Sequence, residues 1–312
     1  MVASRFPFAS PLRYPGGKTK LAPTVAAILD ASGLGADICF AEPFAGGAGV
    51  ATSLLLAGRV AEIALNDADE AVASFWSAAL GETERFVDAI RTVPLDLAER
   101  ERQARIYAEL RGAFSFELGF AFFYLNRTSR SGIATAGPIG GAAQTGADKL
   151  DARFNRETLV RRVVALAERR DAIRVSCADF ATFLRSLRSE TPDRRVVVFA
   201  DPPYWTQGPR LYRRSFDASE HARLADALLN DVAAPWLLTY DDAPEIRALY
   251  SGVEARPLSA SYCAARRKTG AEVLFQQTAE ATFRKKRMGN EKIGKALEES
   301  AERGGVQRKE TV

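Results

Sequence analysis

The sequence predicts an α/β fold in which a doubly wound, mostly parallel sheet is interrupted by an inserted helical lobe. Residues 36–69 follow the order strand, glycine-rich loop, helix, strand and acidic residue, which is typical of a nucleotide-type site in such a sheet. A β-branched run over residues 195–200 indicates a further buried strand. Between them, residues 70–170 have a mainly helical pattern. We therefore expect a sheet that is split in sequence by a helical insertion.

The elements of the first seventy residues follow from hydrophobic periodicity and from glycine and proline positions. Residues 1–20 are typical of a loop. The elements expected after this loop are a helix over 23–31, a strand over 36–41, a glycine loop over 42–49, a helix over 50–57 and a strand over 62–65.

The remaining elements begin with the helical lobe and return to sheet patterns after residue 170. Within the lobe, an aromatic run over 114–124 precedes a Gly/Ala-rich irregular stretch over 134–146. The chain therefore divides into a sheet domain from 1–69 plus 171–283, a helical domain over 70–170 and a basic tail over 284–312. Sheet-type patterns are expected over 173–175, 177–180, 195–200, 236–239, 253–257 and 272–275.

Composition excludes several classes of protein. The chain has 312 residues, of which 47% are hydrophobic, enough for one large domain with an inserted lobe. Cys39, Cys177 and Cys263 are too widely spaced for a disulfide framework or a metal cluster, so we expect no metal and a reducing, cytoplasmic setting. The single histidine, His221, is interpreted as a residue of a helix surface or a helix cap, with a DNA contact as the alternative. No apolar run reaches membrane-spanning length and no signal peptide is evident, so we expect no membrane partner.

Charge is unevenly distributed along the chain. The net charge is +4, yet residues 100–170 carry 13 Lys/Arg against 7 Asp/Glu, and residues 284–312 carry 9 against 5. A basic middle segment beside an acidic remainder is typical of a lobe that faces a polyanion. A solvated face on arginine-rich helices explains the same composition equally well.

The most informative motif is Asp201-Pro202-Pro203-Tyr204, which follows the strand over 195–200. Prolines cannot extend a sheet ladder and each fixes its own φ, so the motif is a stiff turn that presents a carboxylate beside an aromatic ring. Such a turn suits a flat, amino-bearing base: the ring stacks on it, while the carboxylate and a proline carbonyl accept its N–H bonds. The alternative is a strand-end turn whose aspartate caps a neighbouring backbone group.

Two further segments suggest a nucleotide-type ligand. Glycines within 46–49 let the backbone approach a ligand closely, although they lack the full G-x-G-x-x-G spacing. Asp67, about twenty residues later, suits either ribose hydroxyls or a cap of the next helix, and the glycine loop favours the ribose. The segment 17–19 lacks the upstream glycine and the buried strand of a P-loop, so Lys18 is a candidate only for a carboxylate or phosphate contact.

Taken in order, five segments resemble the DNA N6-adenine methyltransferases of the DNA adenine methylase type, which carry the DPPY motif. The resemblance implies a Rossmann-like methyltransferase sheet, S-adenosyl-L-methionine as cofactor and double-stranded DNA as substrate. It makes the sheet domain the catalytic and cofactor-binding part and the helical domain the target-recognition part. It also allows a cognate restriction endonuclease as a partner. The segments are 12–18, 40–49, 65–67, 124–132 and 201–204, with further likeness at 211–224 and 237–240.

The resemblance also implies roles for individual residues. Residues 130–133 depart from the aromatic-Asn-Gly pattern that many members carry, so the recognised DNA sequence does not transfer to this chain. The DPPY residues Asp201, Pro202, Pro203 and Tyr204 would form the catalytic pocket. Cofactor contacts are implied for Tyr14, Gly17, Lys18, Glu42, Pro43, Phe44, Gly46, Gly49, Asp67, Asp179, Phe180 and Asp201. DNA contacts are implied for Asn126, Arg127 and Arg130.

These roles predict direct methyl transfer to N6 of an adenine that has been flipped out of the duplex. The amino nitrogen is a poor nucleophile because its lone pair is delocalised into the ring. Accepting its N–H bonds at the Asp201 carboxylate and the Pro202 carbonyl would favour a pyramidal, more nucleophilic nitrogen. Two alternatives remain, namely transfer to N4 of cytosine on the same fold and a catalytically idle DNA-binding homologue.

Overall fold

A seven-stranded mixed sheet forms the centre of the molecule in a computed structural model that describes residues 7, 9–14, 17–191, 195–206, 216–258 and 272–278. The strands are β1 Ile38–Glu42, β2 Glu62–Asn66, β3 Ile173–Ser176, β4 Arg195–Ala200, β5 Trp236–Asp241, β6 Glu254–Leu258 and β7 Glu272–Gln277. Their order is β3-β2-β1-β4-β5-β7-β6. The first five strands pair in parallel, whereas β7 is antiparallel to both β5 and β6. The order reverses between β1 and β4, so their carboxyl ends flank a crevice of the kind that binds ligands in doubly wound sheets.

Helices cover both faces of the sheet, which is why its central strands are apolar on both sides. The helices are α1 Ala22–Ala31, α2 Gly49–Leu56, α3 Glu70–Gly81, α4 Thr83–Thr92, α5 Leu97–Glu109, α6 Phe116–Thr128, α7 Arg156–Ala167, α8 Phe180–Glu190, α9 Ala218–Asp226 and α10 Pro244–Leu249. Phe40 and Val197 pack on one face into a core shared with α1 to α7. Cys39 and Val198 point to the opposite face, where α8 to α10 lie.

The predicted α/β fold class is confirmed, and most predicted strands lie within a few residues of the observed ones. The sheet-type pattern expected over 177–180 is wrong. Strand β3 ends at Ser176, and the Asp179 side chain accepts a bond from the Ala181 N–H as the N-cap of α8. Aspartate is a strong N-cap residue, and this local preference outweighs the strand pattern.

The insertion over 70–170 consists of α3 to α7 and short connecting turns. Helix α6 packs directly against α3 at Gly119. A Cβ at this position would lie only 2.5 Å from the Ser74 carbonyl oxygen, so the close packing requires glycine. Phe75, Phe86 and Phe123 pack ring to ring at centroid distances of 5.2 to 5.8 Å. These rings belong to the core that also covers one face of the sheet. The assignment of this insertion as a separate target-recognition domain stays a prediction.

The prediction for His221 is wrong, because this histidine is buried rather than on a helix surface. Only 1% of it is exposed, and its Nδ1 lies 2.7 Å from the Tyr240 hydroxyl oxygen. The rings of Trp205 and Phe216 pack against it. Burial lowers the pKa of His221. We therefore describe it as a neutral packing residue behind the DPPY turn.

In the ranges that the structure describes, every helix is too short or too polar to cross a bilayer. The predicted tail over 284–312, Cys263 and the motif residues 211–215 lie outside the described residues.

Candidate active site

A cavity of about 490 Å³ opens at the carboxyl edge of the sheet. The segments that follow β1, β2, β3 and β4 contribute to its wall through Phe44, Asp67, Ala178 and Asp201, respectively. The insertion contributes residues 132–135. Cavities of roughly 300 to 1,000 Å³ are typical of small-molecule and cofactor sites. The crevice that the strand order predicts is therefore a cavity of ligand size.

The glycine loop packs directly under the ring of Tyr14. Gly46 has a φ of +45°, and a Cβ there would lie 2.7 Å from Tyr14 Cε1. At Gly49, a Cβ would lie 2.1 Å from Thr19 Oγ1. Glycine is required at both positions because the N-terminal motif and the glycine loop approach each other so closely.

Asp67 lies at the carboxyl end of β2, beside the glycine loop. Its Oδ2 accepts a bond from the Gly46 N–H at 2.9 Å, and its Oδ1 accepts one from the Asp69 N–H at 2.9 Å. An ionised carboxylate offers about four acceptor sites in all. The cap of helix α3 is Asp69, which accepts the Ala71 N–H. The helix-cap role considered for Asp67 therefore belongs to its neighbour.

Asn66 joins three segments of the cavity wall, a role that the sequence did not reveal. Its Nδ2 donates to the carbonyl oxygens of Pro43 and Ala178, each at 3.0 Å. Its Oδ1 accepts from the Ser176 hydroxyl and from the Ala178 N–H. The side chain is fully buried, so these bonds fix the loops after β1 and β3 relative to β2. The available signal was a polar residue closing an otherwise apolar strand.

Glu42 ends β1 and is almost completely buried. Its Oε1 accepts the Ala51 N–H at 2.8 Å, in the first turn of α2. Burial raises the pKa of Glu42 to about 8, and the charge of Asp201 acts in the same direction. Glu42 thus holds the start of α2 behind the cavity wall.

An aromatic cluster lines part of the cavity. The ring of Phe44 lies 5.6 Å from the rings of both Phe180 and Phe216. Asp179 accepts a bond from Arg223 Nη2 at 2.6 Å, and the Arg223 guanidinium lies 4.4 Å from the centre of the Phe180 ring. The predicted Asp-Phe pair therefore combines a flat apolar surface with a polar edge.

The DPPY turn follows β4, and its aspartate lies beside the buried Lys18. Asp201 Oδ1 accepts the Thr239 hydroxyl at 2.5 Å and lies 3.3 Å from Lys18 Nζ. The same ammonium group lies 3.7 Å from Glu272 Oε1 and 4.8 Å from the centre of the Tyr204 ring. Lys18 is buried, so it contacts both carboxylates and the ring in a largely desolvated setting.

The backbone after the DPPY turn is held by a buried carboxylate on β5. Asp241 accepts the N–H bonds of Trp205 and Thr206 at 3.0 and 2.8 Å. Sequence reasoning missed Thr239, Asp241 and Glu272. The first two are polar residues in an otherwise apolar strand, which was the only local signal.

The predicted cofactor residues fall into two groups. Those in the cavity wall are Tyr14, Pro43, Phe44, Gly46, Asp67, Asp179, Phe180 and Asp201, joined by Pro203 of the DPPY motif. Outside that wall, as the described residues define it, lie Gly17, Lys18, Glu42 and Gly49.

The predicted DNA contacts differ in their surroundings. Asn126 is fully buried: its amide exchanges two bonds with the backbone of Arg13 and donates a third to the Gly132 carbonyl. In this arrangement it has no surface to offer DNA, so its role is to hold the backbone of Arg13 and Gly132. Arg127 is 8% exposed, whereas Arg130 is exposed.

The fold and the site together define a Rossmann-like enzyme with a nucleotide-type cofactor cavity next to a DPPY turn. The sequence model of the D12 class N6 adenine-specific DNA methyltransferase family matches residues 14–263, well over half of the chain. The chain therefore belongs to this family and is an S-adenosylmethionine-dependent DNA adenine methyltransferase. The predicted family, reaction, cofactor and DNA substrate are confirmed, and adenine is favoured over the cytosine alternative.

Two solved structures show a distant likeness. The rRNA methyltransferase aviRa from Streptomyces viridochromogenes at 1.5 Å has 16% identity and a TM-score of 0.41, with 91% of this chain and 95% of that chain covered. The 2.4 Å structure of aviRa has 17% identity and a TM-score of 0.38, with 86% and 88% covered. No curated protein sequence matches the chain at a significant level.

Proposed function

We propose that the enzyme methylates N6 of one adenine within a short site in double-stranded DNA, after flipping that base into the cavity. The observation that carries this proposal is the environment of Asp201. Its Oδ1 is occupied by Thr239 and Lys18, whereas no described residue bonds its Oδ2. A carboxylate with one oxygen anchored and the other available suits an exocyclic amino group.

The residues around the cavity fit S-adenosylmethionine. Gly46 lies in the cavity wall, and its lack of a side chain lets the Tyr14 ring, another part of that wall, pack directly against the loop. Asp67 offers acceptors for ribose hydroxyls, and the rings of Phe44 and Phe180 offer a flat surface for adenine. When bound, the cofactor supplies an electrophilic methyl group on a sulfonium centre.

Asp201 and Pro202 act on the target base. In the proposed arrangement, Asp201 Oδ2 and the Pro202 carbonyl accept the two N–H bonds of the amino group, which localises the nitrogen lone pair. On direct transfer the nitrogen would bond to the methyl carbon as the carbon–sulfur bond breaks, which leaves a neutral thioether. The nitrogen would then release one proton to solvent, and no covalent bond to the enzyme is needed. Positioning of this kind can supply roughly 7–11 kcal/mol of the barrier reduction.

Tyr204 is proposed to stack on the flipped base. Its ring is fixed from one side by Lys18 and from another by Tyr240, at a centroid distance of 6.0 Å. Extruding the base costs a few kcal/mol of stacking and pairing energy, about the amount that aromatic stacking and pocket contacts return. A ring that is already held loses little side-chain entropy on binding.

The insertion over 70–170 is proposed to recognise the DNA. Its surplus of arginine supports this role, and residues 132–135 bring it to the cavity wall. Arg130 is exposed on the same loop. The cytoplasm as location and a cognate restriction endonuclease as partner remain proposals from the DNA substrate and the family resemblance.

The test combines double-stranded DNA, cofactor with a labelled methyl group, and nucleoside analysis by mass spectrometry. We expect label in N6-methyladenine with wild-type protein and its loss with Asp201→Ala, while DNA binding is largely kept. Asp242→Ala is the matched control, because this exposed carboxylate pairs with Arg247 away from the cavity. Near-normal turnover by Asp201→Ala would remove Asp201 from the mechanism.

A further inference from the structure

Arg127 is a buried cation with no hydrogen-bond or ion-pair partner among the described residues. It lies in the last turn of α6 with 8% of its surface exposed. Its Nε is fully sealed from solvent and makes no hydrogen bond within the described part of the chain, and no bond to its guanidinium is seen there either. A buried charge without a partner is strongly unfavourable, so natural proteins keep one only where something else compensates.

The surroundings of Arg127 increase this cost. Arg13, Arg153 and Arg162 are all close enough to repel it, and burial together with this repulsion lowers the pKa of Arg127 to about 9. Asp148 lies near Arg13, and it is paired with the exposed Arg153 at 3.2 Å. The guanidinium groups of Arg13, Arg127 and Arg162 therefore lie near one another in a partly buried region.

The fold holds these groups together. The Asn126 side chain binds the Arg13 backbone through both its N–H and its carbonyl oxygen. Arg13 Nη1 donates to the Ser129 carbonyl, and Arg162 Nη1 donates to the Ser10 carbonyl at 3.0 Å. Arg13 and Arg162 thus reach the region with part of each guanidinium already fixed, which lowers the entropy lost when a ligand binds.

We propose that Arg13, Arg127 and Arg162, here called the arginine cluster, bind a backbone phosphate of the DNA. A phosphate supplies the negative charge and the acceptor oxygens that Arg127 lacks within the described part of the chain, and guanidinium groups match phosphate geometry. This inference rests on the proposed function of the insertion in binding DNA. It assigns Arg127 to the phosphate backbone rather than to base recognition, so its contribution should be independent of sequence.

Arg156 is an arginine of the same insertion with a structural role. Its guanidinium donates to the carbonyls of Ile90 and Val93, so its hydrogen bonds are used within the fold. Arg156→Met is therefore the matched control for Arg127→Met. The two substitutions remove the same charge from the same insertion, but only one of them removes an unpaired group.

The first experiment measures thermal stability without DNA. Arg127→Met should leave Tm unchanged or raise it, because a buried unpaired charge is removed, whereas Arg156→Met should lower it. Inorganic phosphate should raise Tm of the wild-type protein above that in chloride at equal ionic strength, with saturation, and this gain should be absent in Arg127→Met. An equal rise in Tm with phosphate in the wild type and in Arg127→Met would overturn the proposal. Each protein is compared with itself in chloride, so a difference in stability between the two does not affect this result.

The second experiment measures duplex binding by fluorescence anisotropy at several salt concentrations. Arg127→Met should weaken binding roughly tenfold on specific and unrelated duplexes alike, and the slope of log K against log salt should fall by about 0.9. Arg156→Met should keep the wild-type slope. Stabilisation by phosphate with unchanged DNA binding would mean that the cluster takes free anions only, and would overturn the DNA assignment. Nucleoside analysis of wild-type reactions reports separately on whether adenine is methylated at all.

Discussion

Replacing Thr239 by valine tests how Asp201 is held. Thr239 is fully buried in β5, and its hydroxyl donates to Asp201 Oδ1 at 2.5 Å. Valine keeps the shape of the side chain and removes this donor. The Asp201 carboxylate would then rotate more freely, so its second oxygen would meet the amino group in fewer productive encounters.

The expected size of the effect follows from the contacts that remain. A hydrogen bond to a charged group contributes roughly 1.5–3 kcal/mol, and each 1.36 kcal/mol changes a rate tenfold, which gives about 10- to 100-fold. Lys18 Nζ still lies 3.3 Å from the same oxygen. We therefore expect the lower end, about a tenfold loss in the rate of methyl transfer.

The assay is single-turnover methyl transfer with saturating DNA and cofactor, alongside the dissociation constants of both. Thr239→Val should slow transfer while both constants stay within about twofold of the wild type. Thr239→Ser keeps the hydroxyl and should recover most of the rate. A serine variant as slow as the valine variant, or a valine variant as fast as the wild type, would refute a positioning role for this hydroxyl.

Three further predictions concern the cavity wall. Asp67→Ala should weaken cofactor affinity roughly tenfold by calorimetry, since hydrogen bonds to a charged group are lost; unchanged affinity would remove Asp67 from the site. Asn66→Ala should lower the free energy of unfolding by roughly 2–4 kcal/mol in denaturant titrations, because buried groups lose partners, whereas Asn230→Ala at the surface should have little effect. The raised pKa of Glu42, about 8 in the folded state against 4.5 unfolded, means that its stabilising contribution is complete below pH 4.5 and is lost as pH rises to 8. Glu42→Gln should remove that part of the pH dependence of stability, and an unaltered profile would contradict the assignment.

Local patterns were sufficient to predict most of the strands and several of the site residues that follow them, although the pattern over 177–180 misled. The apolar run ending at Ala200 predicted β4, and Asp201 follows it directly at the carboxyl edge. Asp67 was predicted in the same way from the end of β2. In parallel sheets such residues meet at one edge, so sequence order alone places them near a common ligand.

Partners that are distant in sequence were not predictable from those patterns. Lys18 meets Glu272 because β7 inserts beside β5 in the antiparallel direction, and strand order is not encoded in any single segment. Asn126 was expected at the DNA, but its amide matches the backbone of Arg13, which lies 113 residues away. Burial of polar groups depends on such long-range pairing, so the sequence reveals their presence and not their partners.

The measurement that tests the account most directly is single-molecule sequencing of DNA from a methylation-free host that expresses the wild-type protein or Asp201→Ala. We predict N6-methyladenine at one repeated short motif with the wild type, and an unmodified genome with the variant. N4-methylcytosine in place of N6-methyladenine, or an adenine mark that persists in the Asp201→Ala host, would contradict it.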